Sequence, residues 1–328
     1  MKHFARRKFL HLTAAVAALP VLSRMARAQA YPTRPVRMIV GFPAGGPADI
    51  AARLIGQWLS ERLGKQFVIE NRPGAAGSIA TETVVNAPAD GYTLLLVSGS
   101  NTINAALYEN LNFNFSRDIV PIAGIMRTTL VMLVNPSFGP KTVPEFIAFA
   151  KTNPGKVNMG SGGTGSVSHM AGELFKVSAD VNMLHVPYRG EALALNDLLG
   201  AQIQILFGNM SSSLEFVRSG KLRALAVTTT ARSDAMPDIP TVGDFVPGYE
   251  VSGMNGVGGP KGIPDEIIDK LNKEINGGLA NSKLKARIAD LGGTPIAGSP
   301  ADYGKFLAVE IEKWRKVIKA ANIKPDQN

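Results

Sequence analysis

Apolar positions along the chain recur in one arrangement: a short apolar run, a loop of small residues, then a helix with one apolar stripe. The plainest instance covers residues 157–178, where V-N-M is followed by G-S-G-G-T-G-S-V-S and then H-M-A-G-E-L-F-K-V-S. This predicts a strand, a loop, and a helix turning Met170, Leu174 and Val177 inward. Residues 36–40 repeat the pattern as a strand, 41–46 as a glycine-rich turn, and Pro47 opens a helix running to Leu63. Its expected inward face is Ile50, Leu54, Trp58 and Leu59, with Pro47 and Asp49 as start signals. Residues 67–70 form the next strand, 71–77 a second glycine-rich loop, and 78–87 a helix. Residues 92–97 are apolar enough for a buried parallel strand. A loop at 98–101 then precedes a helix through 105–107, and 122–134 reads as one long strand.

The alternation restarts at Val143. A helix over 144–153, the 157–178 unit, a strand at 183–186, a helix over 191–199 and a strand at 203–207 follow. A loop at 208–211, a helix to Arg218 and a strand at 222–228 complete this half. Residues 229–248 read as a crossing loop, 249–257 as extended chain and 258–264 as a turn. The tail from Asp265 is mainly amphipathic helix, with Phe306, Val309, Ile311, Trp314 and Val317 as its last apolar face. Strands alternating with helices mean an α/β protein. Two such units joined by two long crossings, with the tail returning to the first, predict two hinged lobes. Their ligand cleft lies between them, outside the carboxyl ends of strands.

Charge changes the picture only at the N-terminus. The whole chain has 35 Lys+Arg against 26 Asp+Glu, a net +9. Residues 1–30 hold six of the basic residues and no acidic one, so the remainder is 29 against 26, or +3. That balance removes the case for a nucleic-acid partner. Arg6-Arg7-Lys8-Phe9-Leu10, a moderately apolar run at 9–22, and A-R-A and A-Q-A sites read as a secretory signal of twin-arginine type. Cleavage is expected near Ala28 or Ala30. The apolar run is shorter than the roughly 20 residues a membrane span needs. With no cysteine there is no disulfide and no thiolate metal site, and no cofactor is expected.

Residues 160–165 match G-x-G-x-x-G, yet a dinucleotide site also needs an acidic residue ending the next strand. Here that strand leads into Pro187-Tyr188-Arg189, while Asp180 precedes it. A phosphate-binding G-K-[ST] is absent. Outside residues 1–30 the histidines are His169 and His185, and neither a G-x-S-x-G elbow nor H-E-x-x-H occurs. The enzymatic alternative is an exported hydrolase using Ser166 or Ser168 with His169. A histidine on the first turn of a helix is more often packed or capping. Binding fits better: neither 42–49 nor 160–168 contains Lys or Arg, so an anion there would be held by helix-start amides and hydroxyls. Asp49 reads either as a charge partner of the helix start or as a contact for a water or amine on the ligand.

Several stretches in order resemble one family: P-V-R-M-I-V-G-F-P-A-G-G-P-A-D, E-N-R-P-G-A-A-G, A-D-G-Y-T-L-L-L, G-S-V-S-H-M-A-G-E-L-F, V-P-Y-R-G, G-K-L-R-A-L-A-V-T and P-D-I-P-T. The chain resembles the Bug family, the periplasmic solute receptors of tripartite tricarboxylate transporters. The resemblance implies a two-lobe type II periplasmic-binding-protein fold, α/β in class, that closes on a small organic carboxylate. It further implies non-enzymatic capture followed by delivery to a permease of one large and one small membrane subunit. A sensor kinase is the alternative partner, and a monomer is expected. Lobe 1 is expected to comprise 31–127 and 250–328, and lobe 2 to comprise 128–249. From the first loop the expected ligand contacts are Phe42, Ala44, Gly45, Gly46 and Asp49, and from the second Ser98 and Asn101. The third loop brings Ser161, Gly163, Thr164, Gly165, Ser166, Ser168 and His169, and Tyr188 and Asn209 follow later strands. The family often has an acidic residue flanking the strand near 203–207, where this chain has Gln204, Gly208 and Asn209. That leans toward a plain mono- or dicarboxylate, aromatic ones included, over an amino acid.

Overall fold

The computed structural model of the protein describes residues 31–108, 111–320 and 322–324. The signal-peptide reading falls on residues 1–30, outside these. Within the unit Arg34–Asn328, a first strand–helix series comprises β1 (Val36–Val40), α1 (Pro47–Leu63), β2 (Phe67–Asn71), α2 (Ser78–Val85), β3 (Thr93–Ser98) and α3 (Gly99–Leu107). A short helix, α4 (Phe115–Asp118), leads into the long strand β4 (Ile119–Val134). The second series is α5 (Val143–Thr152), β5 (Asn158–Ser161), α6 (Val167–Ala179), β6 (Leu184–Pro187), α7 (Glu191–Leu199), β7 (Ile205–Asn209), α8 (Met210–Arg218) and β8 (Arg223–Val227). The chain returns through β9 (Ser252–Pro260) and ends in α9 (Asp265–Ala280), α10 (Ser282–Asp290), β10 (Gly293–Pro295) and α11 (Pro300–Ala320).

The strands run in the order β2-β1-β3-β9-β4-β7-β5-β6, with β8 and β10 also pairing to β4. β1 is parallel to β2 and β3, and β5 is parallel to β6 and β7, as strand–helix–strand connections require. All six residues of β3 are buried, the pattern of a parallel strand covered on both faces. β4 serves both halves. Up to Thr129 it pairs antiparallel with β9, and from Leu130 it pairs with β7. The partner changes between two adjacent residues, which makes β4 the bridge between the half-sheets.

The core of the second half is built on aromatic contacts. Phe175 stands 5.5 Å from Phe207, 6.0 Å from Phe146 and 6.1 Å from Tyr249 by ring centroid, within the range of favourable offset or edge packing. Tyr249 buries its hydroxyl and satisfies it by donating to the Ala171 carbonyl at 2.9 Å. Ile103 of α3 and Trp314 of α11 join the same cluster.

The helical phases differ from those expected. α1 buries Ala51, Ala52, Ile55 and Leu59; the two alanines let its axis lie close to the sheet, leaving Ile50, Leu54 and Trp58 to the sides. Trp58 instead turns to α9, where its indole N–H donates to the Glu274 carbonyl at 2.8 Å. In α6 the inward residues are Met170, Ala171 and Phe175, and Val177 is 52% exposed. In α11, Tyr303, Leu307, Ile311 and Trp314 face inward while Val309 points to solvent. Residues 98–101 are the end of β3 and first turn of α3, and 208–211 the end of β7 and start of α8. Residues 258–260 continue β9 and are not a turn. A Cβ on Gly258 would lie 2.8 Å from Ile119 Cγ2, so this glycine answers close strand packing.

Candidate functional site

A cavity of about 240 Å³ lies where the two half-sheets meet. Five helices begin on its walls. Pro47 and Ala48 open α1, Gly99 and Ser100 open α3, Val167 and Ser168 open α6, Glu191 to Leu193 open α7, and Asn209 precedes α8. The first amides of a helix have no partner within it and carry the positive end of its dipole. α1 and α7 are capped by Gly46 and Gly190, which supply no side-chain acceptor. Among the described residues no Lys or Arg lines the cavity, and Glu191 is the single ionisable residue of its lining. The polar lining is otherwise hydroxyl and amide: Ser98, Ser100, Thr128, Ser166, Ser168, Asn209 and Asn255.

Of the residues picked out in the sequence, Phe42, Ala44, Gly46, Ser98, Ser166, Ser168 and Asn209 line this cavity. Gly163, Thr164 and Tyr188 line an adjoining cleft of about 1320 Å³ that shares Phe42, Pro43, Gly162 and Leu193 with it. Gly45, Asp49, Asn101, Ser161, Gly165 and His169 line neither; they hold the walls from behind.

Asp49 is the clearest brace. One carboxylate oxygen accepts from the Gly45 N–H at 2.9 Å and from Arg53 Nε at 2.8 Å, and the other accepts from Asn71 Nδ2 at 3.0 Å. Asn71 Nδ2 also donates to the Phe42 carbonyl. Burial pushes the Asp49 carboxyl up, but the hydrogen bonds from Arg53, Gly45 and Asn71 outweigh it and leave it below its ordinary value. Asp49 therefore stays charged and fixes the 42–46 loop. Asn101 does the same for β3: its Oδ1 accepts from the Ser98 N–H at 2.7 Å and its Nδ2 donates to Thr81 Oγ1 at 2.8 Å.

The 161–169 loop is tied by its own hydroxyls. Ser166 Oγ caps α6 by accepting from the His169 N–H at 3.2 Å, and Ser168 Oγ accepts from the Gly162 N–H at 2.9 Å. His169 Nδ1 accepts from the Gly165 N–H at 3.3 Å, which puts the ring proton on Nε2. Burial, with the charges of His185 and Lys176 adding to it, lowers His169 to about 3. It is neutral at physiological pH, so its 3.8 Å approach to Glu173 is no ion pair; Glu173 pairs with Lys176 at 2.9 Å. His185 stacks on His169 with centroids 4.0 Å apart, and its Nε2 shares a 2.6 Å hydrogen bond with Ser161 Oγ. Neither Ser166 nor Ser168 is hydrogen-bonded to the His169 ring, which is committed to holding the glycine loop. Tyr188 donates its hydroxyl to Asp197 at 2.6 Å, and burial with that bond pushes the phenol up to about 12.

Sequence reasoning missed Glu191. It is 7% exposed, and its carboxyl accepts from the Asn209 N–H at 2.8 Å, Asn209 Nδ2 at 2.7 Å and Ser212 Oγ at 2.6 Å. Asn209 Oδ1 in turn accepts from Thr128 Oγ1 at 3.0 Å. The acidic group looked for beside β7 thus arrives from α7, at a position that in sequence looks like an ordinary helix-start charge. The cavity's walls also meet across the cleft. A Cβ on Gly99 would come within 2.7 Å of Val167 Cγ2, and one on Gly190 within 2.8 Å of the Pro43 ring. Among the described residues no group of three or more His, Cys, Asp or Glu is placed to hold a metal ion.

The family model for tripartite tricarboxylate transporter family receptors matches residues 51–323. Protein BugT of Bordetella pertussis (strain Tohama I) is 36% identical over 300 residues, 90% of this chain and 92% of that protein. Among solved structures, R. palustris Rpa4515 with adipate superposes with a TM-score of 0.88 at 35% identity, over 90% of this chain and all of that one. MatC (Rpa3494) from Rhodopseudomonas palustris with bound malate gives 0.84 at 29% identity, over 88% of this chain and all of that one.

Proposed function

Because the chain belongs to the tripartite tricarboxylate transporter receptor family (TctC/Bug), a family of periplasmic solute-binding receptors and not of enzymes, we propose that it captures a small organic carboxylate in the 240 Å³ cavity. The observation that carries this reading is the convergence of five helix N-termini on a cavity that, among the described residues, no Lys or Arg lines. Such a site stabilises an anion through many modest hydrogen bonds and dipoles, and releases it when the lobes part. The fold is the α/β periplasmic-binding-protein fold of its relatives. Relatives with adipate and malate point to aliphatic mono- and dicarboxylates, with aromatic ones admitted by Phe42 and Leu193 on the wall. At about 30 Å³ per water the cavity has the room of roughly eight waters, below the usual size of a drug-like pocket.

In this reading Phe42 to Gly46 and Ser98 present lobe 1, and Ser166, Ser168 and Asn209 present lobe 2. The change of partner along β4 between Thr129 and Leu130 supports lobes of 31–127 with 250–328 and of 128–249. The loaded receptor hands its cargo to the membrane subunits of the transporter after export through the 1–30 signal. Thermal unfolding with adipate, malate, benzoate and ATP tests the ligand class. A carboxylate at a hundred times its Kd stabilises the folded state by about 2.7 kcal/mol and raises Tm by several degrees. A rise with ATP and none with any carboxylate refutes the reading.

A further inference from the structure

Among the described residues, the lining of the cavity proposed to hold an anionic ligand has one ionisable side chain, and it is acidic. Glu191 faces a space that no cation among the described residues lines, and the charged groups on the surrounding elements are engaged elsewhere. Asp197 of α7 is bonded to Tyr188, His185 of β6 to Ser161, and Glu173 of α6 to Lys176. Glu215 of α8 pairs with Arg218, Asp49 of α1 with Arg53, Arg127 of β4 approaches Glu250 at 3.8 Å, and Arg189 is exposed. Among the described residues no counter-ion neutralises a Glu191 carboxylate beside a second carboxylate. In a closed cavity two like charges at short range do not both stay ionised.

We propose that Glu191 takes up one proton when the receptor closes on its carboxylate, and that the resulting O–H donates to the ligand. The proposal rests on the carboxylate-receptor reading above. The proton comes from solvent and adds to Glu191 Oε2. Oε2 accepts one bond, from Asn209 Nδ2, while Oε1 accepts the Asn209 N–H and Ser212 Oγ. Oε2 thus keeps a direction for an O–H toward the cavity that Glu191 lines. Burial already pushes the Glu191 carboxyl above its ordinary value, against the three hydrogen bonds that lower it. A ligand carboxylate moved alongside acts in the same sense as burial. Glu191 would then admit ligands whose second end accepts a hydrogen bond, and bind them more tightly as pH falls.

Adipate titrated calorimetrically from pH 6.5 to 9, in phosphate and in Tris, reads the proton number directly. The carboxyls of adipate are ionised throughout that range (ordinary values near 4). The expected result is an uptake approaching one proton per adipate in the wild type, with affinity falling about tenfold per pH unit as uptake becomes complete. Glu191→Gln imitates the neutral acid; Asn209 flips its amide so that Oδ1 accepts from the new Nε2 while Nδ2 donates to Thr128 Oγ1. It is expected to bind adipate with no proton uptake and no pH slope, and to exceed the wild type at pH 9. Wild-type binding without uptake overturns the proposal, as does uptake that persists in Glu191→Gln. The wild-type measurement stands alone if the variant does not fold. Failure of the carboxylate reading looks different: no heat with adipate, malate or benzoate at any pH, which overturns both.

Discussion

Replacing Gly99 by alanine separates closing of the cleft from folding. Gly99 opens α3 and has no left-handed φ, so alanine strains no backbone there. Its Cβ would lie 2.7 Å from Val167 Cγ2 on the opposite wall, with Met254 N at 3.7 Å and Gly253 Cα at 4.0 Å. Carbon atoms prefer separations of about 3.5–4.0 Å, so the overlap is close to 1 Å, and a valine in a helix has little χ1 freedom to retreat. Overpacking of this kind costs about 1–3 kcal/mol. Here it is felt only where α3 and α6 approach, so adipate affinity should fall roughly 5- to 150-fold at about 1.4 kcal/mol per tenfold. Without ligand the lobes are free to part, and alanine in a helix is favoured over glycine by up to about 1 kcal/mol. Tm of the unliganded variant should therefore match or exceed that of the wild type. Calorimetry for affinity and thermal unfolding for stability read the two effects apart. Adipate affinity within twofold of wild type would refute the reasoning, and so would a Tm that falls together with the affinity.

Asp49→Ala removes the acceptor of the part-buried Gly45 N–H and one of the two acceptors of the Asn71 amide, which keeps the Phe42 carbonyl, a loss of about 1 kcal/mol per hydrogen bond. Urea titration should show a lower midpoint at unchanged m, and calorimetry a weaker adipate affinity. The exposed Arg53 partner adds little. His169 is held down to about 3 in the fold against an ordinary 6.5, so the unfolded chain binds more protons between those values. Stability from this group is complete above pH 6.5 and declines as pH falls toward 3, by up to about 5 kcal/mol at 1.36 kcal/mol per unit. His169→Asn keeps an acceptor for the Gly165 N–H and should flatten the decline in urea midpoints between pH 7 and 4.5; an equal decline in both proteins rejects the assignment. Gly165→Val combines a left-handed φ of +81° with a collision against Asn104 Oδ1. It should lower both adipate affinity and Tm, unlike Gly99→Ala.

The alternation of strands and helices is legible because each apolar run is separated from its helix by small, turn-forming residues. The same residues expose helix N-termini, so the loops at 42–49 and 160–168, parts of which line the cavity, stand out in the sequence. Side-chain direction is less legible. In α1 the large residues Ile50, Leu54 and Trp58 suggest one face, while Ala51, Ala52 and Ile55 occupy the buried one, because close approach to a sheet favours small side chains. Asp49 and His169 belong to loops that line the cavity, yet both turn away from it to hold backbone N–H groups. Glu191 shows the opposite case. As the first residue of α7 it has the local signature of a dipole partner. What makes it a wall of the site is the approach of Asn209 and Ser212, a contact between elements that no local pattern encodes.

The central claim, an anion held by helix-start amides without a cation, is tested most directly by a crystal structure of the receptor with adipate bound. The account predicts adipate in the cavity between Ala48, Ser98, Ser168 and Asn209, its carboxylate oxygens within hydrogen-bond distance of first-turn amides of α1 and α6, and no Lys or Arg side chain touching it. Adipate lying in the larger cleft beside Tyr188, or paired with an arginine drawn into the site, would contradict it.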